Sequence, residues 1–299
     1  MDLDGIILID KDEGITSFNT VQKVKSCLGV GKAGHAGTLD KAASGLLVVC
    51  LNRATGVQNL FMSAFKRYIA TLLLGMETDT LDRYGKTVKT SSVFEYSDGD
   101  VNSVLKKFQG KTKQVPPYFS AIHKDGKRLY KRALEGENIT IEPREIEIKE
   151  ISLLENRKDK ITFEVLASKG TYIRSLGRDI AHELDTCGYL INLRRKESGF
   201  FSVGDAFKLD EINKETSVIP LQKALNHIPQ INVTPDMASM IFNGVSLNRI
   251  FPEDKWNPLV CGYYRVTLGS KLIAIIEKRE YPRYFRVFKD PEGVHNRVY

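Results

Sequence analysis

The chain has 299 residues, of which 42% are hydrophobic, so it can bury the core of one large domain or of two ordinary ones. Its 44 lysines and arginines against 37 aspartates and glutamates give a net charge of +7, which favours a polyanionic partner such as nucleic acid. No apolar stretch reaches membrane length, and the apolar run 5–9 is too short for a signal peptide. The four cysteines are widely spaced without a C-x-x-C pair, which predicts free thiols in a reducing cytoplasm rather than a disulfide or a zinc site.

The first predicted helix precedes a glycine-rich segment. Thr16 or Ser17 can accept the N-cap hydrogen bond of this helix. Apolar residues then recur at helical spacing, namely Phe18, Val21, Val24 and Leu28. The segment 29–34 fits the dinucleotide fingerprint G-x-G-x-x-G, but that motif requires a strand before it and an acid about 20 residues after it. A helix precedes the segment here, and no acid occurs between residues 41 and 72, so no nucleotide site is predicted.

The most informative segment is the loop 34–45, in which a single carboxylate, Asp40, lies among small residues. Gly34, Gly37 and Gly45 in this loop lack a Cβ, so the backbone can adopt positive φ there and a ligand can approach it closely. The apolar run 46–51 predicts a buried strand that holds the loop rigid. Two interpretations remain open: a reactive carboxylate presented to a ligand, or an aspartate that only caps the turn.

Two further elements are predicted before residue 110. Residues 67–75 are typical of a strand, and residues 101–108 of a short amphipathic helix. The polar and acidic segment 75–85 between them predicts a loop on the solvated surface. Its acidic residues are Glu77, Asp79 and Asp82.

The segment 115–143 mixes basic and aromatic residues. Two prolines, Pro116 and Pro117, stiffen its entry. Such a mixture suits a surface that neutralises phosphates and stacks on bases, although a solvated helix with an inward aromatic side is the alternative. The basic residues are Lys124, Lys127, Arg128, Lys131 and Arg132, interleaved with Tyr118, Phe119, His123 and Tyr130.

A strand at 161–167 and the helix that follows it predict the position of Arg174. The helix has a buried stripe formed by Ile173, Leu176, Ile180 and Leu184. Arg174 lies beside this stripe near the start of the helix, so it can point toward the sheet. A partly buried arginine needs an anionic partner, for which Asp40 is the natural candidate.

The composition changes beyond about residue 212. Residues 231–299 contain short β-like runs, such as 259–268 and 272–276, separated by proline, glycine and aspartate. This pattern predicts a small all-β domain after a linker between residues 227 and 232.

The ordered motifs of the chain resemble those of bacterial tRNA pseudouridine synthases of the TruB family over about residues 5–205. The motifs are Lys11-x-x-Gly14-x-Thr16-Ser17, Gly34-His35-Ala36-Gly37-Thr38-Leu39-Asp40, Arg67-Tyr68, Lys169-Gly170-Thr171-Tyr172-Ile173-Arg174 and Leu193-Arg194-Arg195. The resemblance implies an α+β fold whose catalytic domain, residues 1–228, has a mixed, mostly antiparallel sheet. It also implies a thumb-like insertion at about 115–143 that grips RNA, and a PUA-type all-β RNA-binding domain at 229–299.

The implied reaction isomerises uridine 55 in the T-loop of tRNA to pseudouridine. The C1′–N1 bond breaks, and the uracil turns and rejoins through C5, so the reaction requires no redox cofactor, ATP or metal. By matching position Asp40 is the catalytic residue, and whether it attacks C1′ or takes a proton from C2′ stays open. It must remain ionised in a pocket that excludes water, where Arg174 orients it and balances its charge.

The resemblance also implies supporting roles for other residues. Tyr68 stacks on the target base, Tyr172 lies beside Arg174 in the pocket, and Leu193 forms an apolar wall for the uracil. The target base must flip out of the loop, at a cost of a few kcal/mol. The residues expected to bind RNA are His35, Lys11, Lys127, Arg128, Lys131, Arg132 and Arg194. The expected partner is tRNA or its T-arm, bound by a monomer without membrane or protein partners.

Three positions depart from the family pattern. Asp12 and Lys41 stand where the family usually has proline, so these loops lack a fixed φ and need other contacts to hold them. The segment 185–188 replaces a glycine-rich turn.

Two alternative functions belong to other classes. The first is a non-catalytic RNA-binding or RNA-folding protein on the same scaffold. The second is a hydrolase with two acids, as in glycosidases, which the chain disfavours because no second acid is predicted near the Asp40 loop.

Overall fold

The structure is a computed structural model in which the described residues are 3–118, 123–124, 127–128, 141–251 and 260–288. Two of the residues predicted to bind RNA, Lys131 and Arg132, lie outside the described residues. Lys127 and Arg128 are described as a strand whose side chains lie outside the description. The predicted RNA contacts of these four residues therefore stay predictions.

The described strands, in chain order, are β1 (Gly5–Lys11), β2 (Ala33–His35), β3 (Ser44–Leu51), β4 (Lys66–Leu74), β5 (Met76–Thr78), β6 (Thr87–Thr90), β7 (Gly110–Gln114), β8 (His123–Lys124), β9 (Lys127–Arg128), β10 (Arg144–Arg157), β11 (Lys160–Ala167), β12 (Gly188–Ser198), β13 (Phe201–Ser202), β14 (Phe207–Lys208), β15 (Ile219–Pro220), β16 (Gln230–Asn232), β17 (Gly262–Leu268), β18 (Lys271–Lys278) and β19 (Pro282–Val287). The α-helices are α1 (Ser17–Leu28), α2 (Gln58–Met62), α3 (Asp98–Lys107), α4 (Ile173–Glu183), α5 (Leu221–Ala224), α6 (Pro235–Phe242) and α7 (Leu247–Ile250). Two 3₁₀ turns occupy Asn52–Val57 and Val203–Asp205.

The main sheet is mixed and mostly antiparallel, as predicted. Its strands follow the order β14-β1-β3-β12-β4-β11-β10-β7, and β2, β13 and β15 pair with β3, β12 and β1. Within the described residues, the parallel pairs of this sheet are β1 with β14 and β3 with β12. In the second of these, Ser44 pairs with Arg194 and Gly45 with Arg195, so the end of the Asp40 loop lies against β12.

Strand β3 is buried on both faces. On one face, Leu47, Val49 and Leu51 join the apolar cluster that contains α1 and α4. On the other face, Leu46, Val48 and Cys50 join a cluster with α2 and the C-terminal sheet. Burial also raises the pKa of the Cys50 thiol to about 12. The Asp40 loop is therefore anchored on a strand that is packed from both sides.

Helix α1 begins as predicted, and three residues of its predicted stripe, Val21, Val24 and Leu28, are buried. Thr16 is the N-cap, since its side chain accepts a hydrogen bond from the Asn19 amide. Phe18 was predicted in the stripe and is 66% exposed, so that prediction is wrong. Ser17 takes the buried position, because residue 17 and not residue 18 lies four residues before the buried Val21.

Two predicted boundaries also differ. Helix α3 begins three residues before its predicted start, because Ser97 and Asp100 form a capping box that initiates it. The segment predicted as a loop at 75–85 contains β5, which pairs with β6.

Helix α4 buries the predicted stripe residues Ile173, Leu176 and Ile180. No helix within the described ranges has the length and apolar character needed to span a bilayer.

The C-terminal part contains a four-stranded sheet in the order β16-β17-β18-β19. The prediction of an all-β domain is wrong, because α6 and α7 pack on one face of this sheet. Its other face packs on the main sheet, where Leu272, Ile275 and Phe288 join the second cluster of β3. The Arg53 guanidinium lies over the Phe288 ring at 5.2 Å from the centroid, so a cation–π contact reinforces this junction.

Candidate active site

The loop that carries Asp40 is held by hydrogen bonds to α1 and to the end of β1. Ser17 Oγ donates to the Leu39 carbonyl at 2.8 Å and accepts from the Leu39 amide at 2.8 Å. The Gly14 amide donates to the Lys41 carbonyl at 2.8 Å. The backbone on either side of Asp40 is therefore positioned by elements outside the loop.

Arg195 holds the same loop from beneath. This residue is 1% exposed, and its Nε donates to the Leu46 carbonyl at 2.7 Å. Its Nη2 and Nη1 donate to the Gly37 and Thr38 carbonyls at 3.1 and 3.4 Å. No site role was predicted for this arginine, although it belongs to the Leu193-Arg194-Arg195 motif. Side chains alternate between the two faces of β12, so Arg195 lies on the same buried face as the apolar Leu193. This alternation could have indicated that Arg195 is buried.

Lys11 is a structural residue rather than an RNA contact. It is 0% exposed, and its Nζ donates to the carbonyls of Asp12, Ile15 and Ala43. Burial lowers the pKa of the Lys11 ammonium to about 8. All three N–H groups of this buried ammonium donate to carbonyls of the protein, so none is left for an RNA phosphate. The predicted RNA-binding role of Lys11 is therefore wrong.

Arg174 and Asp40 are in contact, as the sequence predicted. The side chain of Arg174, on the first turn of α4, is 5% exposed, and its Nε lies 2.8 Å from Asp40 Oδ2. Its Nη1 donates to the Thr80 carbonyl at 2.6 Å. This arginine is thus fixed by its burial and by a backbone acceptor while it orients the Asp40 carboxylate.

A second carboxylate, Asp82, shares the same arginine. Its Oδ2 lies 3.7 Å from Arg174 Nη1, and its side chain is 11% exposed. Asp82 Oδ1 accepts from Thr80 Oγ1 at 2.7 Å and from the Tyr84 amide at 3.0 Å. The prediction that this acid lies on the solvated surface is therefore wrong.

The segment 75–85 is buried in part because it is docked on β12. The Leu190 amide donates to the Leu81 carbonyl at 3.1 Å, and β5 pairs with β6. Glu77 is also drawn inward, with its Oε2 3.0 Å from His182 Nε2. Docking of this segment on β12 brings Asp82 under Arg174, which the acidic composition alone did not indicate.

The predicted active-site residues surround one cavity of about 540 Å³. Tyr68 and Leu193 are each 9% exposed and present apolar surface to it. The backbone of Tyr172 is held by the Gln114 side chain, which accepts from its amide at 2.8 Å and donates to its carbonyl at 3.1 Å. The predicted residues that line the cavity are Asp40, Tyr68, Tyr172, Arg174 and Leu193.

The cavity is open to solvent, in contrast to the prediction of a pocket that excludes water. The Asp40 side chain is 39% exposed, although its arginine partner is buried. The described residues form the floor and walls around this carboxylate, and none of them covers its outer side.

The chain is similar to known proteins over most of its length. The sequence model of the family described as TruB family pseudouridylate synthase (N terminal domain) matches residues 25–173. The tRNA pseudouridine synthase B of Hydrogenovibrio crunogenus is 41% identical over 253 residues, which cover 84% of this chain and 84% of the relative. The tRNA pseudouridine synthase B of Clostridium kluyveri is 40% identical over 248 residues, covering 82% of this chain and 86% of the relative.

The chain belongs to the TruB family of pseudouridylate synthases. It is therefore an enzyme, and the reaction class is an isomerisation. A solved structure agrees with this assignment: a chain of the Crystal Structure of a Cbf5-Nop10-Gar1 Complex matches with a TM-score of 0.69 and 26% identity. The match covers 92% of this chain and 78% of that chain.

Other contacts replace the two prolines usual in TruB proteins. The Asp12 carboxylate is 2.9 Å from Lys208 Nζ. The Lys41 ammonium lies over the Tyr84 ring at 5.5 Å from its centroid. Together with the hydrogen bond from the Gly14 amide to the Lys41 carbonyl, these contacts are the other interactions that loops without the prolines were expected to need.

Arg194 makes an ion pair within the protein. Its Nη1 and Nη2 each lie 2.9 Å from an oxygen of Asp10, which is also 3.0 Å from Lys208 Nζ. A guanidinium bound in this bidentate manner has an internal partner, and the predicted contact of Arg194 with RNA stays a prediction.

His35 is half-buried on β2 and lies outside the cavity lining. Burial and the positive charge of Arg195 lower the pKa of its imidazole, so the ring is neutral at pH 7. Within the described part of the chain, its Nδ1 has no hydrogen-bond partner. No group of three or more His, Cys, Asp or Glu is placed to hold a metal ion in the described ranges.

Proposed function

We propose that this protein converts uridine 55 in the T-loop of tRNA to pseudouridine, with Asp40 as the catalytic carboxylate. The observation that carries the proposal is the Asp40–Arg174 ion pair at 2.8 Å, placed in a cavity with Tyr68 and Leu193. Both curated relatives described above are named tRNA pseudouridine synthase B, which supports tRNA as the substrate.

The cavity supplies what an extruded uracil needs. The flipped base stacks on Tyr68, which contributes about 1–3 kcal/mol toward the few kcal/mol that extrusion costs. Leu193 packs on the base from the apolar side. The Asp40 carboxylate then acts at the ribose, either on C1′ or on the C2′ proton, and Arg174 keeps it oriented.

The exposure of Asp40 fits this function because the substrate is itself a large body. A T-loop seated on the cavity covers the outer side of the carboxylate and removes water from it. Removal of water strengthens the interaction of Asp40 with the developing charge on the sugar. Thus RNA binding and completion of the active site are one event.

Two additional RNA contacts belong to the same proposal. The basic insertion at about 115–143 grips the RNA as a thumb, and residues 229–299 act as a PUA-type RNA-binding domain. The net charge of +7 supports both roles, since phosphate neutralisation supplies much of the affinity for RNA.

The test uses an unmodified T-arm hairpin labelled with tritium at uracil C5. We expect tritium release without added metal or nucleotide, and none above background from Asp40→Asn. Because Asn keeps the size of the side chain, binding of the hairpin by Asp40→Asn serves as the control for folding. Equal turnover by the two proteins would refute the catalytic assignment. An inert parent that still binds and refolds the hairpin would favour the RNA-folding alternative.

A further inference from the structure

The cavity that contains Asp40 carries more positive charge than the proposed reaction uses. Arg174 is paired with Asp40, and Arg195 donates hydrogen bonds to carbonyls of the Asp40 loop and of β3. Lys66 and Lys169 also line the cavity. Glu145 is a second carboxylate of the lining, but in the described part of the chain no carboxylate lies within 4.0 Å of either lysine ammonium, so these two cations are available to an anionic ligand.

Lys66 is placed unusually for a lysine. It is 6% exposed at the start of β4, and its Nζ donates to the Met62 and Ala64 carbonyls at 2.7 and 2.6 Å. Two of its three N–H groups are thereby used, whereas Lys11 uses all three. Burial, with the positive charges of Arg195 and Lys169, lowers the pKa of the Lys66 ammonium to about 8. A bound anion would offset this electrostatic cost.

The register of β4 relates Lys66 to the proposed base site. Burial alternates along the strand, with Lys66 and Tyr68 both on the buried face. Residues two apart on one face of a strand are separated by about 7 Å. This separation is comparable with that between the base and the phosphate of a single nucleotide, so a base on Tyr68 brings its own backbone phosphate toward Lys66.

We propose that Lys66 and Lys169 form a phosphate-binding subsite for the nucleotide whose base occupies the cavity. This inference rests on the proposed function, since it assumes that the ligand is RNA with one extruded nucleotide. The subsite ties the sugar–phosphate backbone down while the glycosidic bond is broken, so that the ribose stays in place as the uracil turns. Lys66 and Lys169 are therefore binding and positioning residues rather than reacting groups.

The test combines protein variants with RNAs that lack one charge. T-arm hairpins are prepared with a neutral methylphosphonate on the 5′ or the 3′ side of the target uridine. For the parent protein we expect one of the two replacements to raise the Kd by about tenfold. For Lys66→Met and Lys169→Met we expect the same replacement to change the Kd by less than about threefold, because the phosphate has lost its partner.

Lys160→Met is the matched control. Lys160 is exposed and pairs with Leu73, seven residues along β4 from Lys66, which is about 23 Å at the rise of a strand. This variant removes the same charge but should respond to the methylphosphonate as the parent does. Thermal unfolding checks the Lys66 variant, and the exposed Lys169 provides the test if Lys66→Met does not fold.

Two outcomes would overturn the subsite. In one, neither methylphosphonate weakens binding to the parent protein. In the other, the methylphosphonate raises the Kd of Lys66→Met and Lys169→Met as much as it raises the Kd of the parent. Turnover of the all-phosphate hairpin by the parent is measured separately. If the parent turns over the hairpin but its Kd does not change with either methylphosphonate, the subsite is refuted and the proposed function is not.

Discussion

Arg174 holds two carboxylates with one guanidinium, and the shape of that group decides what can replace it. Its Nε lies 2.8 Å from Asp40, and its Nη1 faces Asp82 at 3.7 Å and donates to the Thr80 carbonyl. A lysine keeps the charge but has a single nitrogen, which does not serve these partners together. The orientation of Asp40 therefore depends on the planar guanidinium of Arg174 with its several N–H donors, and not only on the positive charge.

For Arg174→Lys we expect tritium release from the T-arm hairpin to fall at least about 100-fold, because misplacement of Asp40 lowers the rate of the chemical step. The Kd for the hairpin should change by less than about threefold. Arg178→Lys, on the same helix, is the control, since Arg178 pairs with the neighbouring Asp179. Turnover of Arg174→Lys near that of the parent would mean that charge alone suffices.

Asp10 gives a pH-dependent contribution to stability. Burial raises the pKa of this carboxyl, but hydrogen bonds and charge from Arg194 and Lys208 outweigh burial and lower it below its usual 3.8. The folded state therefore favours the ionised form. This stabilisation is fully present above the unfolded pKa and is lost as the pH falls through the lowered folded value.

For Asp10→Asn we expect the free energy of unfolding to fall by about 1–3 kcal/mol at pH 7. The difference from the parent should shrink as the pH falls below 3.8, because the unfolded carboxylate becomes protonated there and the folded one follows at lower pH. Urea unfolding at several pH values measures this. Asp12→Asn is the control, because the Asp12 side chain is 64% exposed and its contact with Lys208 should contribute less than about 1 kcal/mol. A difference for Asp10→Asn that does not vary with pH would contradict the argument.

At the scale of elements, the junction of β3 with β12 sets the position of the Asp40 loop. Gly45 pairs with Arg195 in this parallel junction and has a φ of +101°. An added Cβ would overlap the backbone carbonyl oxygen of Arg195. The glycine is needed both for its conformation and for the close approach of the two strands.

We therefore expect Gly45→Ala to lower the free energy of unfolding by at least about 2 kcal/mol. Turnover should also fall, because β3 must move away from Arg195 to accommodate the added Cβ and this movement displaces the loop that carries Asp40. Gly204→Ala is the control, since Gly204 has no positive φ and its added Cβ meets only Ser202 Oγ at 3.6 Å. Chemical unfolding compares both variants. Equal stability of the two would show that the junction tolerates a side chain.

Elements with a strong period or a cap could be predicted from the sequence, and tertiary partners could not. The stripe of α4 placed Arg174 toward Asp40, because a helical face follows from spacing alone. The buried position of Asp82 depends on docking of the segment 75–85 against β12, which no local pattern records. Lys11 was assigned to RNA by its position in a family motif, whereas its three carbonyl acceptors are visible only in the fold.

At the scale of the whole molecule, the two sheets share an apolar junction. Ile275 on β18 is fully buried and packs in the cluster with β1 and β3, whereas Ile273 on the same strand packs among α6 and α7. The two isoleucines therefore report on different interfaces of the C-terminal sheet. Loss of either side chain leaves a cavity that costs about 2–5 kcal/mol.

For Ile275→Ala we expect faster hydrogen exchange at the β3 amides as well as in the C-terminal sheet, by about tenfold or more. For Ile273→Ala we expect the acceleration to be confined to the C-terminal sheet. Exchange measured by mass spectrometry on peptides that span β3 and β18 separates the two patterns. Identical patterns in the two variants would contradict a junction that supports β3.

The burial of β3 on both faces also limits how parts of this protein can be interchanged with those of its relatives. A chimera that received only a foreign C-terminal segment would set new side chains against the strand that anchors the carboxylate loop. A graft that preserves the enzyme has to transfer the complementary surface too. That surface is formed by Ile6, Leu8, Leu46, Val48 and Cys50.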